Sequence, residues 1–213
     1  TDSKPYDGTA LTGPNVAVEG DGFVDGEVTN VRATGSVTTV AEGEVVNTIV
    51  YDEGVNFKAG NYDITKKEGK LSITALSAED GLVITPNNVE YTYNAESHSA
   101  GLASASASVV GTNVSIEYRV EGSPDVEWRS NPSVITAINA GTVTIEVRAS
   151  ADNYSGYKYA KQTLIINKRD VELTSASASK VYDGTALTKD WVDMGPNRAD
   201  TGFIWTDLAD DGQ

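Results

Sequence analysis

Apolar and polar residues alternate along several stretches of this chain. Val114-Ser115-Ile116-Glu117-Tyr118-Arg119-Val120 does so, as do residues 141–148, where Val143, Ile145 and Val147 share one face. A period of two is that of a half-buried strand. Residues 45–50 and 163–166 are β-branched and apolar, and read as strands as well. No amphipathic helical period persists over a dozen residues. Residues 103–108 and 175–179 alternate alanine and serine. The first reads as a strand whose alanine face packs closely against a neighbouring sheet. The second reads as a strand entered from a short linker, with a flexible serine-rich tract as the alternative in both cases. Twenty glycines, with clusters of Asn and Asp, supply the turns. The pattern predicts an all-β protein.

The chain also repeats itself. Residues 3–12, SKPYDGTALT, return at 179–188 as SKVYDGTALT, identical at nine of ten positions. Tyr91-Thr92-Tyr93-Asn94-Ala95 is a weaker copy between them. Unit ends recur too: Gly60-Asn61-Tyr62 leads to Gly69-Lys70-Leu71-Ser72-Ile73-Thr74, and Asp152-Asn153-Tyr154 leads to Gln162-Thr163-Leu164-Ile165-Ile166-Asn167. Such a period marks an array of modules. The expected modules are 1–75, 76–170 and the N-terminal part of a third at 171–213. Each complete one is expected to be a small Ig-like β-sandwich or β-grasp-like fold, and the array to be elongated. The third, being short, is expected to lean on the middle module, pair with a neighbouring chain or be poorly ordered.

In the repeated motif, Asp7-Gly8 and Asp183-Gly184 favour a tight turn, since glycine accepts a positive φ and aspartate bonds nearby amides. Tyr6 and Tyr182 would close one end of the core, and Tyr93 marks the same place in the weaker copy. An exposed tyrosine platform for a sugar or peptide is the sharper reading, but a residue that serves the fold must return in every copy, and this one does.

Composition narrows the function. Sixteen Lys and Arg against 31 Asp and Glu leave a net charge of −15. That argues against a nucleic-acid partner or an anionic membrane surface. Cysteine is absent and histidine occurs once, at His98, so thiolate sites and imidazole clusters are excluded. The longest apolar runs are far short of the ~20 residues of a spanning helix. Thr1 opens directly into a structured-looking segment, as in a mature or excised fragment. No cofactor is expected.

Lys4-x-Tyr6-Asp7-Gly8 and Lys180-x-Tyr182-Asp183-Gly184 at unit starts, with Asn61-Tyr62 and Gly69-x-Leu71-x-Ile73-Thr74 at a unit end, resemble the YDG/MBG-type tandem repeats of Gram-positive surface proteins. The middle module, with Tyr93, Trp128 and Asn153-Tyr154 in order, resembles their Ig-like repeats, although Asn94-Ala95 replaces Asp-Gly. The resemblance implies an extracellular, cell-wall-attached, adhesin-like protein whose modules form a stalk. It also raises a Lys–Asn isopeptide bond joining Lys4 or Lys180 to Asn61 or Asn153.

Other candidate chemistry is thin. Glu19, Asp21, Asp25 and Glu27, and likewise Asp207, Asp210 and Asp211, crowd around glycines without the spacing of an EF-hand. A loosely chelated calcium ion stands beside the plainer reading of solvated turn carboxylates. His98 between Glu96, Ser97 and Ser99 lacks the converging elements of a triad. Glu117 and Glu146 sit on polar strand faces, expected to meet water. Trp128, Trp191 and Trp205, with Tyr154, are further aromatics that would stack on sugar rings if exposed. Tyr157 and Tyr159 share a strand face and are the candidate sugar-stacking pair, with burial of one of them as the plainer outcome. The expected role is a non-catalytic spacer contacting neighbouring modules. The alternatives are an adhesin module for a host glycan or protein, and an accessory region of a larger surface enzyme.

Overall fold

The computed structural model describes residues 1–122, 128–173 and 178–187. It is mostly β-strand with almost no helix. Among the described residues no helix is long and apolar enough to cross a membrane.

The first stretch opens with β1 (Asp2–Pro5) and β2 (Leu11–Thr12), followed by β3 (Val28–Ala33) and β4 (Ser36–Val37). Then come β5 (Val45–Asn47), β6 (Ile49–Glu53) and β7 (Gly69–Thr74). Residues 45–50 thus divide at Thr48 between two sheets, where one strand was expected. β1 runs parallel to β7, in the register Asp2↔Leu71 to Pro5↔Thr74, and β5 lies antiparallel on the other side of β7. β2 pairs with β4, and β3 with β6, both antiparallel. Pro5 is tolerated because β1 is an edge strand.

Beyond these, β8 (Leu76–Ser77), the single helical turn Ala78–Gly81 and β9 (Leu82–Thr85) lead to β10 (Val89–Thr92) and β11 (His98–Ser99). β12 (Ser104–Ala107), β13 (Val114–Val120) and β14 (Thr136–Ala137) follow. β15 (Gly141–Ala151), β16 (Tyr154–Ser155) and β17 (Lys158–Asn167) complete the set. The main sheet has the order β10-β17-β15-β13. β10 runs parallel to β17, from Val89↔Leu164 to Thr92↔Asn167, and β11 pairs antiparallel with β14. Opening strand parallel to closing strand, with a short antiparallel pair beside it, is therefore a pattern used twice. The Tyr6 N–H donates to Thr74 O and the Tyr93 N–H to Asn167 O, both at 2.9 Å. The two tyrosines hold the same step beyond their opening strands.

The chain forms two compact units. One holds Thr1–Thr85, Ala103–Glu117 and Arg148–Ala160. The other holds Pro86–Leu102, Tyr118–Val147 and the described chain from Lys161 onward. In the first unit, Val37, Leu71 and Ile73 form one buried cluster, capped by Tyr6, Leu11, Val40 and Val45. Ala78, Leu82 and Ala149 form another, with Ala105 and Ala107 packed against it. The alanine face of β12 packs inward while its serines face out, and β12 pairs with β9. In the second unit Tyr118, Ile145, Val147, Leu164 and Ile166 are buried, as the alternation required. Gln162 is buried among them because its amide is satisfied: Nε2 donates to Gly101 O at 2.7 Å, and Oε1 accepts the Asn87 N–H at 3.1 Å.

Candidate functional site

The repeated motif folds into a closed polar turn. Gly8 takes φ +79°, and the Asp7 carboxylate accepts the Thr9 N–H and hydroxyl at 2.8 Å each. Lys4 reaches over from β1 and donates to Asp7 Oδ1 at 2.8 Å and to Thr9 Oγ1 at 2.6 Å. The Lys4 ammonium and the Thr9 donors hold the Asp7 carboxyl down at about 2. The second copy reproduces the turn: Gly184 has φ +78°, Asp183 Oδ1 accepts the Thr185 N–H at 2.9 Å, and Lys180 lies 2.9 Å from Asp183 Oδ1. Lys180 and then Thr185 pull the Asp183 carboxyl below its ordinary value.

The middle copy keeps the turn with other residues. Ala95 stands in the glycine's place at φ +64°, and Asn94 Oδ1 accepts the Glu96 N–H at 3.0 Å. His98 Nε2 lies 2.8 Å from the same oxygen, and its ring stacks on Tyr91 with centroids 4.1 Å apart. Tyr91 sits where the outer copies carry lysine. His98, at the start of β11, therefore braces the turn through Asn94 and Tyr91.

The Asn-Tyr pairs serve a second purpose. Tyr62 Oη accepts the Val24 N–H at 3.1 Å and donates to Glu27 at 2.6 Å. Tyr154 Oη accepts the Val109 N–H, also at 3.1 Å, and lies 3.0 Å from Ser108 Oγ. In each case the phenol ties down a loop amide. Asn153, at φ +66°, accepts the Val40 N–H on Oδ1 at 2.8 Å and the Leu76 N–H on its backbone oxygen at 3.1 Å. Asn61 closes a short 3-10 turn instead. Lys4 is thus held by Asp7 and Thr9, Lys180 by Asp183 and Thr185, and Asn153 by Val40.

Among the described residues no three acidic or imidazole side chains gather closely enough to hold a metal ion. Glu27, one of the calcium candidates, is taken by Tyr62. Asp207, Asp210, Asp211, Trp191 and Trp205 lie outside the described residues. So do residues 175–177 of the second alanine–serine tract; Ala178 and Ser179 are described and are not strand.

Tyr157 and Tyr159 are both exposed, by 39% and 57%, so the expectation that one would be buried is corrected. Their centroids are 6.1 Å apart and the rings are tilted by 52°. The polar side of the sheet, rather than the core, receives them. The Arg148 guanidinium lies over Tyr157 at 4.2 Å while its Nε donates to Glu117 at 2.8 Å. Glu146 is bonded by Arg119, whose guanidinium lies 4.7 Å from the Trp128 ring. The two glutamates expected to meet water are thus paired with arginines, half-buried on the sheet.

Arg148 escaped the sequence reading although it alternates in phase with Glu146, a cross-strand ion-pair signal. So did the half-buried aromatic cluster of Phe23, Tyr51, Phe57 and Tyr62, in which Phe57 and Tyr62 stack at 5.6 Å and Lys66 lies over Tyr51. Family models, curated proteins and solved structures were all compared with the chain, and none matches.

Proposed function

We propose that the chain is a non-catalytic spacer, built of tandem Ig-like or YDG/MBG-type β modules, in the extracellular, cell-wall-attached part of a bacterial surface protein. The observation that carries this reading is the parallel pairing of opening and closing strands, β1 with β7 and β10 with β17. A pull on the two ends of such a segment draws parallel neighbours in opposite directions along their length. The ladder's hydrogen bonds are then loaded together, in shear. The recurring residues support the same reading, because their side chains are spent on turns and loop amides.

The high negative charge keeps such an array soluble and discourages self-association. Small-angle scattering of the chain tests the arrangement. A maximum dimension set by modules placed end to end supports it, and the profile of a single compact sphere refutes it.

A second reading, an adhesin module for a host glycan, has one observation in its favour: the exposed Tyr157–Tyr159 pair with Arg148 alongside. Tilted aromatic rings beside a hydrogen-bonding guanidinium suit a pyranose ring. Titration with neutral oligosaccharides, followed by amide shifts around Tyr159, tests it. Binding that Tyr159→Ala abolishes supports the reading, and unmoved shifts at saturating sugar dispose of it.

A further inference from the structure

Among the described residues, four Asp-Gly pairs place their glycine at positive φ: Asp7-Gly8, Asp21-Gly22, Asp25-Gly26 and Asp183-Gly184. Such a pair is chemically fragile. The glycine amide nitrogen attacks the aspartate Cγ, a C–N bond forms, and the amide proton leaves with the carboxyl hydroxyl as water. The five-membered imide then takes water back. Opening at its backbone carbonyl leaves the chain running through the aspartate side chain, as isoaspartate. The attack needs a neutral carboxyl, a side chain free to swing onto the next nitrogen, and a backbone that yields.

The pairs differ in what holds them. At Asp7 the Lys4 ammonium lies 2.8 and 3.0 Å from the two carboxylate oxygens, and Thr9 donates twice to Oδ1. Asp183 is pinned in the same way, by Lys180 at 2.9 Å and by the Thr185 N–H and hydroxyl. Water reaches both side chains, which are 54% and 56% exposed, so the clamp and not burial sets them apart. At Asp25 the backbone is held instead. The Glu27 N–H closes the turn on Val24 O at 3.0 Å, and the Val24 N–H is bound by Tyr62 Oη. Asp21 is exposed and stands between Gly20 at φ +77° and Gly22 at φ +70°. Among the described residues no hydrogen bond ties down residues 19–22 or the Asp21 carboxylate. Glycine on both sides gives that backbone the widest choice of conformation. We propose that Asp21 is a site of spontaneous isoaspartate formation, and that the Lys and Thr of the repeated motif guard Asp7 and Asp183 against the same reaction. An exposed ion pair alone contributes little to stability, and protection gives the lysine a second use. Holding the Asp7 carboxyl at about 2 also makes its neutral, reactive form scarcer. The proposal does not depend on the spacer role.

Ageing the full chain at neutral pH and body temperature tests both halves. Isoaspartate is counted with an isoaspartyl methyltransferase and placed by electron-transfer fragmentation of the peptides. In the native chain Asp21 should outpace Asp7 and Asp183 by about tenfold. Lys4→Met keeps an apolar stem of similar length and removes the ammonium, and it should quicken Asp7 about tenfold while Asp21 is unmoved. Thr9→Val should act at Asp7 in the same direction. The urea-unfolded chain separates structure from sequence, and there the pairs should react at comparable rates. A rise confined to Asp7, with Asp25 steady, supports the guard. Asp7 keeping pace with Asp21 in the native chain, or a rate at Asp7 indifferent to both substitutions, overturns it. An Asp21 that stays intact in the folded chain while it reacts in the unfolded one overturns the site.

Discussion

Lys4 Nζ lies 2.8 Å from Asp7 Oδ1, and Lys180 Nζ lies 2.9 Å from Asp183 Oδ1. The same three side chains close both turns, so the motif is a device for ending an opening strand. The Asp7 carboxyl is held at about 2 against an ordinary 3.8. A carboxyl depressed in the fold contributes stability that is complete above its unfolded value and is lost as pH falls toward the folded one. The stability difference between the native chain and Asp7→Asn should therefore be constant at neutral pH and shrink between about pH 4 and pH 2. Urea unfolding at a series of pH values measures it, and a difference that stays constant down to pH 2 would refute the role.

Tyr154→Phe keeps the ring against Tyr6 but removes the hydroxyl that holds the Val109 N–H. A net loss of about 1 kcal/mol is expected, the worth of an ordinary hydrogen bond. Amide exchange at Val109 should quicken. Tyr62→Phe should act likewise on Val24, with the added release of Glu27. An unchanged exchange rate at both amides would show that the phenols are bystanders.

Gln162→Leu preserves volume while orphaning the buried Gly101 carbonyl. The expected cost is about 1–3 kcal/mol. Gly101→Ala should be harmful for a separate reason, because its Cβ would lie 2.4 Å from Asn87 O. Thermal melts of the two variants check both. A neutral Gly101→Ala would mean that the Asn87 loop yields freely.

Much of the fold is written locally. Ile145 and Val147 are buried where alternation placed them, and Ala105 and Ala107 pack inward from the small-residue tract. The doubled motif marks the turn at Asp7 in the sequence alone. Other features have no local signature. A strand's parallel neighbour lies far off in sequence, so nothing near Asp2 announces Leu71, and nothing near Val89 announces Leu164.

The aromatic cluster around Phe57 draws single residues from separate loops, and such convergence has no period. Ala95 in a left-handed turn runs against its own preference and is held by the Asn94 bonds beside it. Of the candidate site, the pair Tyr157 and Tyr159 was visible as a shared face. Its exposure was not, because that depends on Arg148 arriving from a neighbouring strand of the same sheet.

Whether the parallel terminal pairs carry load is tested most directly by pulling single chains from their two ends. The account predicts abrupt unfolding steps, each releasing roughly 250 Å of chain as the β1–β7 or β10–β17 ladder fails at once. Smooth extension at low force, strand by strand and without discrete steps, would contradict it.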